Sequence, residues 1–423
     1  MKLSLARQTL PGGSGSVRGG VVRVSHARCA ALMVILMASL TSAQNPAPFS
    51  TLDMRVPVPP RPLVAAGQTH LAYEIHITNM SLWPTTLDVV EVRDGSSTDG
   101  DKALLRLQED TLNKALRRHG APFEDPDRRL LAPGHSAVLF VWLSLNSDDV
   151  PRLLTHRIGV TVPTAAGGGT DSVTVDGLNV TVASQMPRIV GPPLEGDHWL
   201  AANGPDNNAN HRRTLLSLTG EAHIAQRFAI DWVRLYDDGR TFRGDPLKNS
   251  SYRAFGANVL AVADGIVVDA ADEIPENVPD LVARAVTITP RRLVGNFVLL
   301  DIGDGAWAVY AHLQLGSVQV RKGDRVRRGQ VLGRVGNTGN STEPHLHFHI
   351  ADRNQALDSE GIPYSFARFD LQAEPGEVTR AFRMVGQHFE VDSDRVVDWS
   401  TRAPQIRSNE LPLLNALIRF PER

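Results

Sequence analysis

The chain has 423 residues, of which 42% are hydrophobic, and a formal net charge of −2 at pH 7. Because single hydrophobic cores stop growing at roughly 250–300 residues, this length predicts two ordinary domains. The balanced charge provides no basic surface for nucleic acid, so nucleic acid is excluded from the expected partners.

The N-terminal segment, residues 1–43, has the composition of a secretory signal peptide. Five basic residues and no acidic residue accompany a twelve-residue apolar run from Cys29 to Leu40, and Thr41-Ser42-Ala43 follows. A helix needs about 20 residues to span a bilayer. We therefore expect export to the periplasm or the cell exterior, with no transmembrane segment after cleavage and a permanent anchor as the alternative. Cleavage would remove the five positive charges, taking the net charge from −2 to −7, and would remove Cys29, the only cysteine, so no disulfide is expected.

Residues 44–190 alternate short apolar or β-branched runs with turn residues, for example at 70–78, 136–143 and 157–162. This pattern predicts an Ig-like β-sandwich that serves as an accessory domain. Its role is left open among a binding module for wall polymer, an inhibitory shield over the cleft and a spacer.

One segment departs from the strand pattern of this domain. Between 103 and 119, the residues Leu105, Leu112 and Leu116 would share one face of a helix, and Gly120 follows as a stop signal. We predict a helix over 103–119 that lies against the sandwich.

The second domain, residues 191–356, begins with a linker rich in Pro, Gly and Asn, and strands again dominate from His211 onward. The fold class is therefore all-β, with a second β-rich domain of antiparallel sheet. The Pro-containing stretch 272–291 predicts a long loop of the kind that borders binding clefts. Residues 357–423 form a C-terminal extension, with a short helix predicted at 411–417.

Three histidines alternate with apolar residues at positions 345–350. In a strand, His345, His347 and His349 share one face, and the apolar residues face the core. Histidines two positions apart lie about 7 Å from each other. One can therefore hold a metal while its neighbour meets a water or a substrate.

Two further segments bring polar groups into apolar strands. Tyr310 and His312 are predicted to share a strand face, and Asp231 interrupts an apolar run. A buried Asp is rarely left unpaired. A metal, a cation or a hydrogen-bond network is therefore expected beside Asp231.

Six segments, in this order, resemble the lysostaphin-like (LytM-type) zinc endopeptidases that cut peptide cross-links of the cell wall. The resemblance covers about residues 211–350. The segments are Phe228-Ala-Ile-Asp231, Val262-Ala-Asp-Gly265-Ile-Val267, Gly295-Asn296-Phe-Val, Tyr310-Ala-His312-Leu, Lys322-Gly-Asp-Arg-Val-Arg-Arg-Gly-Gln-Val-Leu-Gly333 and Gly339-Asn-Ser-Thr-Glu-Pro-His345-Leu-His347-Phe.

The resemblance implies a zinc metalloendopeptidase that hydrolyses peptide bonds, with peptidoglycan as the expected substrate. It implies that Asp231 and His347 bind zinc. It also implies that His345 accepts a proton from the attacking water and that His312 stabilises the oxyanion.

The chain departs from the family at the third zinc ligand, where Arg227 stands four residues before the aspartate in place of a histidine. In an extended strand His223 would lie about 26 Å from Asp231, which is too far. A hairpin of 213–218 with 225–231 would instead place His211 opposite about Phe228, beside the vacant position. We therefore predict His211 as the third zinc ligand. His349, where the family more often has an acid or an amide, is a candidate for orienting a ligand.

Three alternatives stay open. Arg227 favours a peptidase fold that has lost zinc and that binds or regulates at the cell wall. The Gly339-x5-His345-x-His347 spacing matches the start of a cupin metal motif, but the expected glutamate after it is missing. Segment 322–333 resembles a biotinyl or lipoyl carrier hairpin, but no lysine follows it. The sequence contains no assembly signal, so it leaves the oligomeric state open.

Overall fold

The structure is a computed structural model that describes residues 52–97, 103–118, 126–164, 168–279, 283–375, 382–385, 388–391 and 403–422. The predicted signal peptide and Cys29 lie outside these ranges. Within them the chain forms 28 strands and two short α-helices, so the predicted all-β class with antiparallel sheets is confirmed. Residues Ser50–Arg423 belong to one compact unit. None of the helices in the described ranges has the length and apolar character needed to cross a membrane.

Ten strands and one helix form the N-terminal part of this unit. They are β1 (Leu52–Arg55), β2 (Pro62–Ala65), β3 (Gln68–Asn79), β4 (Thr85–Asp94), β5 (Ala103–Gln108), α1 (Glu109–Ala115), β6 (Leu116–Arg118), β7 (Leu130–Leu131), β8 (Ser136–Leu145), β9 (Leu153–Pro163) and β10 (Thr170–Thr181). One sheet has the order β1-β3-β8-β6, with β2 also on β3, and the other has the order β10-β9-β4-β5, with β7 also on β4.

The two sheets enclose an apolar core because side chains alternate along each strand. From β3, Leu71, Tyr73, Ile75 and Ile77 point into this core. The opposite face of β3 presents Glu74 to the second part of the molecule, where this carboxylate is almost completely buried. The sandwich is therefore packed on both faces of the sheet that contains β3.

The predicted helix over 103–119 is wrong for most of its length. Residues 103–108 form β5, and the helix α1 has only seven residues. In β5, Leu105 and Leu107 lie opposite Val92 and Val90 of β4, so they satisfy a strand alternation as well as a helical one. His119 and Gly120 lie outside the described residues.

The second part contains the remaining eighteen strands and one helix. They are β11 (Arg188–Val190), β12 (Gly196–Ala202), β13 (Leu216–Ser217), β14 (Ala222–His223), β15 (Ile230–Arg234), β16 (Asn258–Leu260), β17 (Gly265–Ala271), α2 (Pro290–Leu293), β18 (Asn296–Asp301), β19 (Trp307–Leu313), β20 (Arg325–Val326), β21 (Val331–Arg334), β22 (Leu346–Ala351), β23 (Tyr364–Phe366), β24 (Phe369–Ala373), β25 (Phe382–Val385), β26 (His388–Val391), β27 (Gln405–Arg407) and β28 (Leu417–Phe420).

A ten-stranded sheet organises this part, in the order β20-β17-β18-β19-β22-β15-β12-β28-β24-β27. Its large apolar core includes Trp232, Tyr310, Phe348 and Phe366. Strands β24, β27 and β28 come from the segment predicted as a C-terminal extension, and they continue the sheet from β12. The helix predicted at 411–417 is wrong, since this stretch is turn and loop that leads into β28.

Candidate metal centre

Asp231 and His347 are brought together by strand pairing. Asp231 lies on β15 and is the direct cross-strand partner of His347 on β22. On the other side of β15, Asp231 pairs with Ala202 of β12. The two side chains meet with His347 Nδ1 2.8 Å from Asp231 Oδ1. Their relative position is therefore a consequence of sheet register.

The predicted alternation along β22 is confirmed, since Leu346, Phe348 and Ile350 enter the apolar core. The predicted common face of Tyr310 and His312 is wrong. Tyr310 packs against Phe348 on the core side, whereas the His312 ring lies 4.8 Å from the His345 ring. The cause is the positive φ of His312, +62°, which breaks the strand alternation at the end of β19.

His211 reaches Asp231 by a different route from the predicted one. The predicted hairpin of 213–218 with 225–231 is wrong, since Leu216–Ser217 pair with Ala222–His223 instead and residues 225–229 belong to no strand. A turn in the loop after β12 places His211 instead, and its Nε2 lies 3.3 Å from Asp231 Oδ2. The strand predicted at 213–218 is correspondingly reduced to the two residues of β13.

The donor atoms of His211, Asp231 and His347 all lie within 4.8 Å of one another. Two imidazole nitrogens and one carboxylate oxygen match a catalytic zinc site, in which three protein ligands leave a fourth position open. Ligand bonds of about 2.0–2.2 Å in a tetrahedron place the donor atoms roughly 3.4 Å apart. The separations of His211 Nε2 and His347 Nδ1 from the Asp231 oxygens, 3.3 and 2.8 Å, are close to this value. The residues present therefore fit zinc.

The protonation states at the site also suit a cation. Burial lowers the pKa of His211 to about 4, which keeps the imidazole neutral. Burial alone would raise the pKa of Asp231, but the interactions of its carboxylate with the His211, His345 and His347 rings hold it well below its usual range. A neutral imidazole and an ionised carboxylate are the forms that bind metal.

Hydrogen bonds determine which nitrogen of His211 and of His347 carries the lone pair that faces Asp231. His211 Nδ1 donates to the carbonyl of Asn203 at 3.0 Å, which leaves Nε2 with the lone pair. His349 Nε2 donates to the carbonyl of Ala356 at 3.1 Å, so its Nδ1 accepts from His347 Nε2 at 3.0 Å. His347 in its neutral form therefore presents Nδ1 toward Asp231.

His345 and His312 have the same tautomer. His345 Nδ1 donates to the Glu343 carbonyl at 2.8 Å, and His312 Nδ1 donates to the Thr338 carbonyl at 2.7 Å. In both neutral rings Nε2 carries the lone pair that can accept a proton. Burial and the neighbouring imidazoles hold the pKa of His312 well below its usual value. Burial opposes the charged form of His345 too, but the Asp231 carboxylate outweighs it and raises that pKa.

Sequence reasoning missed Asn203. Its amide Nδ2 donates to Asp231 Oδ2 at 3.0 Å, and its carbonyl accepts from His211. Asn203 has a positive φ of +46°, which is tolerated better by Asn than by most residues. The only sequence signal was its place in an Asn-rich linker, which also fits a simple turn.

Arg227, which occupies the vacant ligand position, and His223, the other histidine weighed as a replacement, bond to carboxylates elsewhere. Arg227 donates to Glu74 of the sandwich at 2.8 Å and to Glu360 at 2.7 Å. His223 Nδ1 lies 3.0 Å from Glu360. Among the residues that the structure describes, the grouped metal donors include neither of them.

The predicted loop at 272–291 is hydrogen-bonded to the loop 337–343, which contacts His312 and His345. Asn277 Nδ2 donates to the carbonyls of Gly339 and Ser341, at 2.9 and 3.0 Å. Ser341 in turn contacts His345 Nδ1, at 3.3 Å. This loop is therefore linked to the site through 339–341, although residues 280–282 lie outside the described ranges.

Comparison with known protein families matches residues 251–359 to the family described as Peptidase family M23. The matched segment contains His312, His345 and His347. It does not include His211 or Asp231, so the family match covers one of the three grouped metal donors.

Comparison with individual proteins gives short matches. The chain is 38% identical over 65 residues to "Peptidoglycan DD-endopeptidase ShyA" of Vibrio cholerae serotype O1, covering 15% of each protein. It is 44% identical over 74 residues to "Glycyl-glycine endopeptidase ALE-1" of Staphylococcus capitis, covering 18% of this chain and 20% of that protein. The solved catalytic domain of lysostaphin from Staphylococcus simulans is 24% identical, with 39% and 84% covered and a TM-score of 0.21. The match spans less than a third of the length of these curated relatives.

Proposed function

Since the chain carries a peptidase domain of family M23 at residues 251–359, we propose that it is a zinc metalloendopeptidase that hydrolyses peptide bonds of peptidoglycan cross-links. One observation carries the proposal. The donor atoms of His211, Asp231 and His347 lie within 4.8 Å of one another. The rings of His312 and His345 lie beside them, and the centroid of the His312 ring is 5.9 Å from that of His347.

His211 Nε2, Asp231 and His347 Nδ1 are the proposed zinc ligands. Bound zinc would polarise the scissile carbonyl and lower the pKa of a water molecule to about 7. Asn203 holds the Asp231 carboxylate and the His211 ring together, and His349 fixes the tautomer of His347. Such outer partners orient the ligands and are typically worth 10–100-fold in metal affinity or activity.

The hydrogen-bond pattern favours a different division of labour from the one implied by resemblance. His312 is held neutral with an accepting Nε2, so it suits the role of proton acceptor from water. His345 is the ring more readily protonated, because Asp231 lies 3.4 Å from its Nε2. It therefore suits donation to the developing oxyanion or to the leaving amine.

A zinc-free binding or regulatory module is the competing function, and it draws on Arg227 at the expected ligand position. The placement of His211 weakens that argument, because it supplies the missing nitrogen from another part of the chain. The ionised state of Asp231 and the neutral state of His211 also favour a metal site over an empty scaffold.

The substrate and the location are part of the same proposal. Relatives named as peptidoglycan and glycyl-glycine endopeptidases support a cell-wall peptide as the substrate. The signal-peptide pattern of residues 1–43 supports export to the compartment where that polymer lies.

Elemental analysis and a peptidoglycan-digestion assay on the same purified full chain test the proposal. We expect about one zinc per chain in the unmutated protein, loss of zinc in Asp231→Ala, and retained zinc without turnover in His345→Ala. Zinc loss in His345→Ala would contradict the assigned roles. Absence of zinc from the unmutated protein after incubation with the metal would favour the inactive module.

A further inference from the structure

We propose that the N-terminal sandwich is part of the zinc site, because Arg212 anchors the ligand His211 to strands β3 and β8. Arg212 is then a positioning residue for metal binding, and the sandwich is more than a spacer or a wall-binding module. This inference rests on the proposed function, since it assigns a support to one of the three proposed ligands.

Arg212 follows His211 directly in the chain and is fully buried. Its guanidinium donates to the carbonyls of Tyr73 and Val141, at 3.1 and 2.9 Å, which are cross-strand partners of β3 and β8. It also pairs with the carboxylate of Glu74. Three bonds from one side chain therefore fix the backbone next to His211 against the sandwich.

Glu74 balances two buried cations. Its carboxylate accepts from Arg212 and from Arg227, and Arg227 also bonds Glu360. Burial alone would raise the pKa of Glu74, but the two guanidinium groups lower it to about 2. A buried charge without a partner is strongly destabilising. Both guanidinium groups are needed to keep Glu74 ionised in the interior, but of the two only Arg212 ties the loop of His211 to the sandwich.

Neighbouring contacts reinforce the same anchor. Arg213 donates to the carbonyl of Lys114 at 2.7 Å, and its guanidinium lies 4.8 Å from the centre of the Phe140 ring. Asn207 Nδ2 donates to the Phe140 carbonyl at 3.0 Å. Arg117 of β6 donates to the carbonyl of Arg213. The loop on both sides of His211 is thus bonded to the sandwich.

This anchor matters more for His211 than for the other proposed ligands. Asp231 and His347 are held by hydrogen-bonded strands on both sides. His211 has only a turn, in which the N–H groups of Arg213 and Thr214 bond Ala209 and His211. Without Arg212 the loop would regain conformational freedom, and zinc binding would have to order it again.

The chain offers a matched pair of variants, Arg212→Met and Arg227→Met. Each removes one of the two guanidinium partners of Glu74, and each residue is buried. Only Arg212 adjoins a proposed ligand. Arg227 lies four residues before Asp231, and Asp231 is held in place by strand β15 and not by Arg227. We therefore expect similar losses of thermal stability but different losses of zinc affinity.

Zinc dissociation constants are measured by competition with a chromogenic chelator on the full-length variants. We expect Arg212→Met to weaken zinc binding about 10- to 100-fold, as for other residues that orient a ligand, and Arg227→Met to stay within about twofold. The absorption spectrum of the Co²⁺-substituted protein should change only in Arg212→Met. Asn207→Ala, which removes a partner of Arg212 at 3.2 Å, is the milder variant if Arg212→Met does not fold, and it should weaken zinc in the same direction.

Equal zinc affinity in folded Arg212→Met and Arg227→Met, whether unchanged or equally reduced, would overturn the positioning role and leave the peptidase proposal standing. Unchanged zinc affinity in Asn207→Ala, where that variant has to be used, would have the same meaning. An unmutated protein that binds neither zinc nor Co²⁺ would overturn both.

Discussion

The proposed zinc ligands are held by two different kinds of structure. Asp231 and His347 sit opposite each other on adjacent strands, inside a sheet whose neighbours extend on both sides. His211 sits in a turn outside the sheet, and the sandwich holds the next residue of the chain. The first pair follows from the register of one sheet, whereas the third ligand depends on a contact between two parts of the chain.

This difference explains how position 227 can be an arginine. In the proposed site His211 supplies the third ligand nitrogen, so the residue four positions before Asp231 is not needed as a ligand. Arg227 instead bonds Glu74 and Glu360 in the buried network that fixes the sandwich. Arg227, which stands where the resemblance leads one to expect a ligand, therefore belongs to the same buried network as Arg212.

The largest expected effect separates the two kinds of ligand by chemical rescue. His347→Ala and His211→Ala should each fail to retain zinc, because each removes one imidazole ligand. The His211 side chain is 13% exposed and the His347 side chain is 3% exposed. Added imidazole should therefore restore zinc binding in His211→Ala but not in His347→Ala, as measured by elemental analysis after gel filtration. If imidazole restored zinc binding in both variants, the His347 position on its strand would be as accessible as the His211 position in its loop.

The next effect is the pH dependence of the free energy of unfolding that the buried Glu74 network produces. The pKa of Glu74 is about 2 in the folded chain against an ordinary value of 4.5. A lowered carboxyl pKa adds stability that is complete above about pH 4.5 and is lost as the pH falls toward 2. We expect Glu74→Gln to lower the free energy of unfolding by about 3 kcal/mol at pH 7. The difference from the unmutated protein should shrink between pH 4.5 and 2, as measured by urea denaturation.

Because Asp231 also titrates at low pH, only the difference between the two proteins is informative. Glu91 of the sandwich supplies the control, since it pairs with Arg93 and Arg106 away from the metal centre. Glu91→Gln should leave zinc affinity unchanged. A constant difference between Glu74→Gln and the unmutated protein down to pH 2 would show that Glu74 does not carry this linkage.

A third effect acts on the strand-held side of the site, through the backing of His312. Gly295 has a φ of +66°, and a Cβ there would lie 2.5 Å from the carbonyl oxygen of Thr338, which accepts the His312 proton. Gly295→Ala should displace Thr338 and lower turnover about 100-fold, as small misplacements of a catalytic group do, while zinc is retained. Gly305→Ala is the control, because Gly305 has a φ of +68° and open space around its Cβ position. Equal turnover in Gly295→Ala and Gly305→Ala would show that the Thr338 carbonyl does not position His312 for turnover.

The part of the site that was predictable from sequence is the part made by local alternation. His345 and His347 were recognisable because a strand puts alternate residues on one face, and Asp231 because it interrupts an apolar run. Their roles at a metal site came only from the resemblance to a family. The orientation of His312 was not predictable in this way, since a single positive φ reverses its face.

Contacts between distant segments set the limit of prediction. The bond between Glu74 and Arg212 joins residues 138 apart in the chain, and that between Glu74 and Arg227 joins residues 153 apart. Neither spacing leaves a local pattern. The proximity of His211 to Asp231 was anticipated, but through a hairpin of 213–218 with 225–231 that does not form. The error at 103–119 has a simpler cause, because its leucines satisfy both helical and strand periodicity.

The smallest expected effect tests the core beneath the strand-held ligands. Tyr310 and Tyr364 both pack against Phe348, with ring centroids 5.2 and 5.3 Å away. The Tyr310 hydroxyl accepts from the backbone N–H of Val262 at 2.9 Å, whereas the buried Tyr364 hydroxyl has no hydrogen-bond partner among the described residues. Tyr310→Phe should lower the free energy of unfolding by about 1–3 kcal/mol, because it leaves a buried donor unsatisfied. Tyr364→Phe should be neutral or stabilising, because it removes a buried polar group without breaking a bond. Urea denaturation measures both, and an equal loss in the two variants would show that ring packing against Phe348, and not the bond to Val262, supports this side of the site.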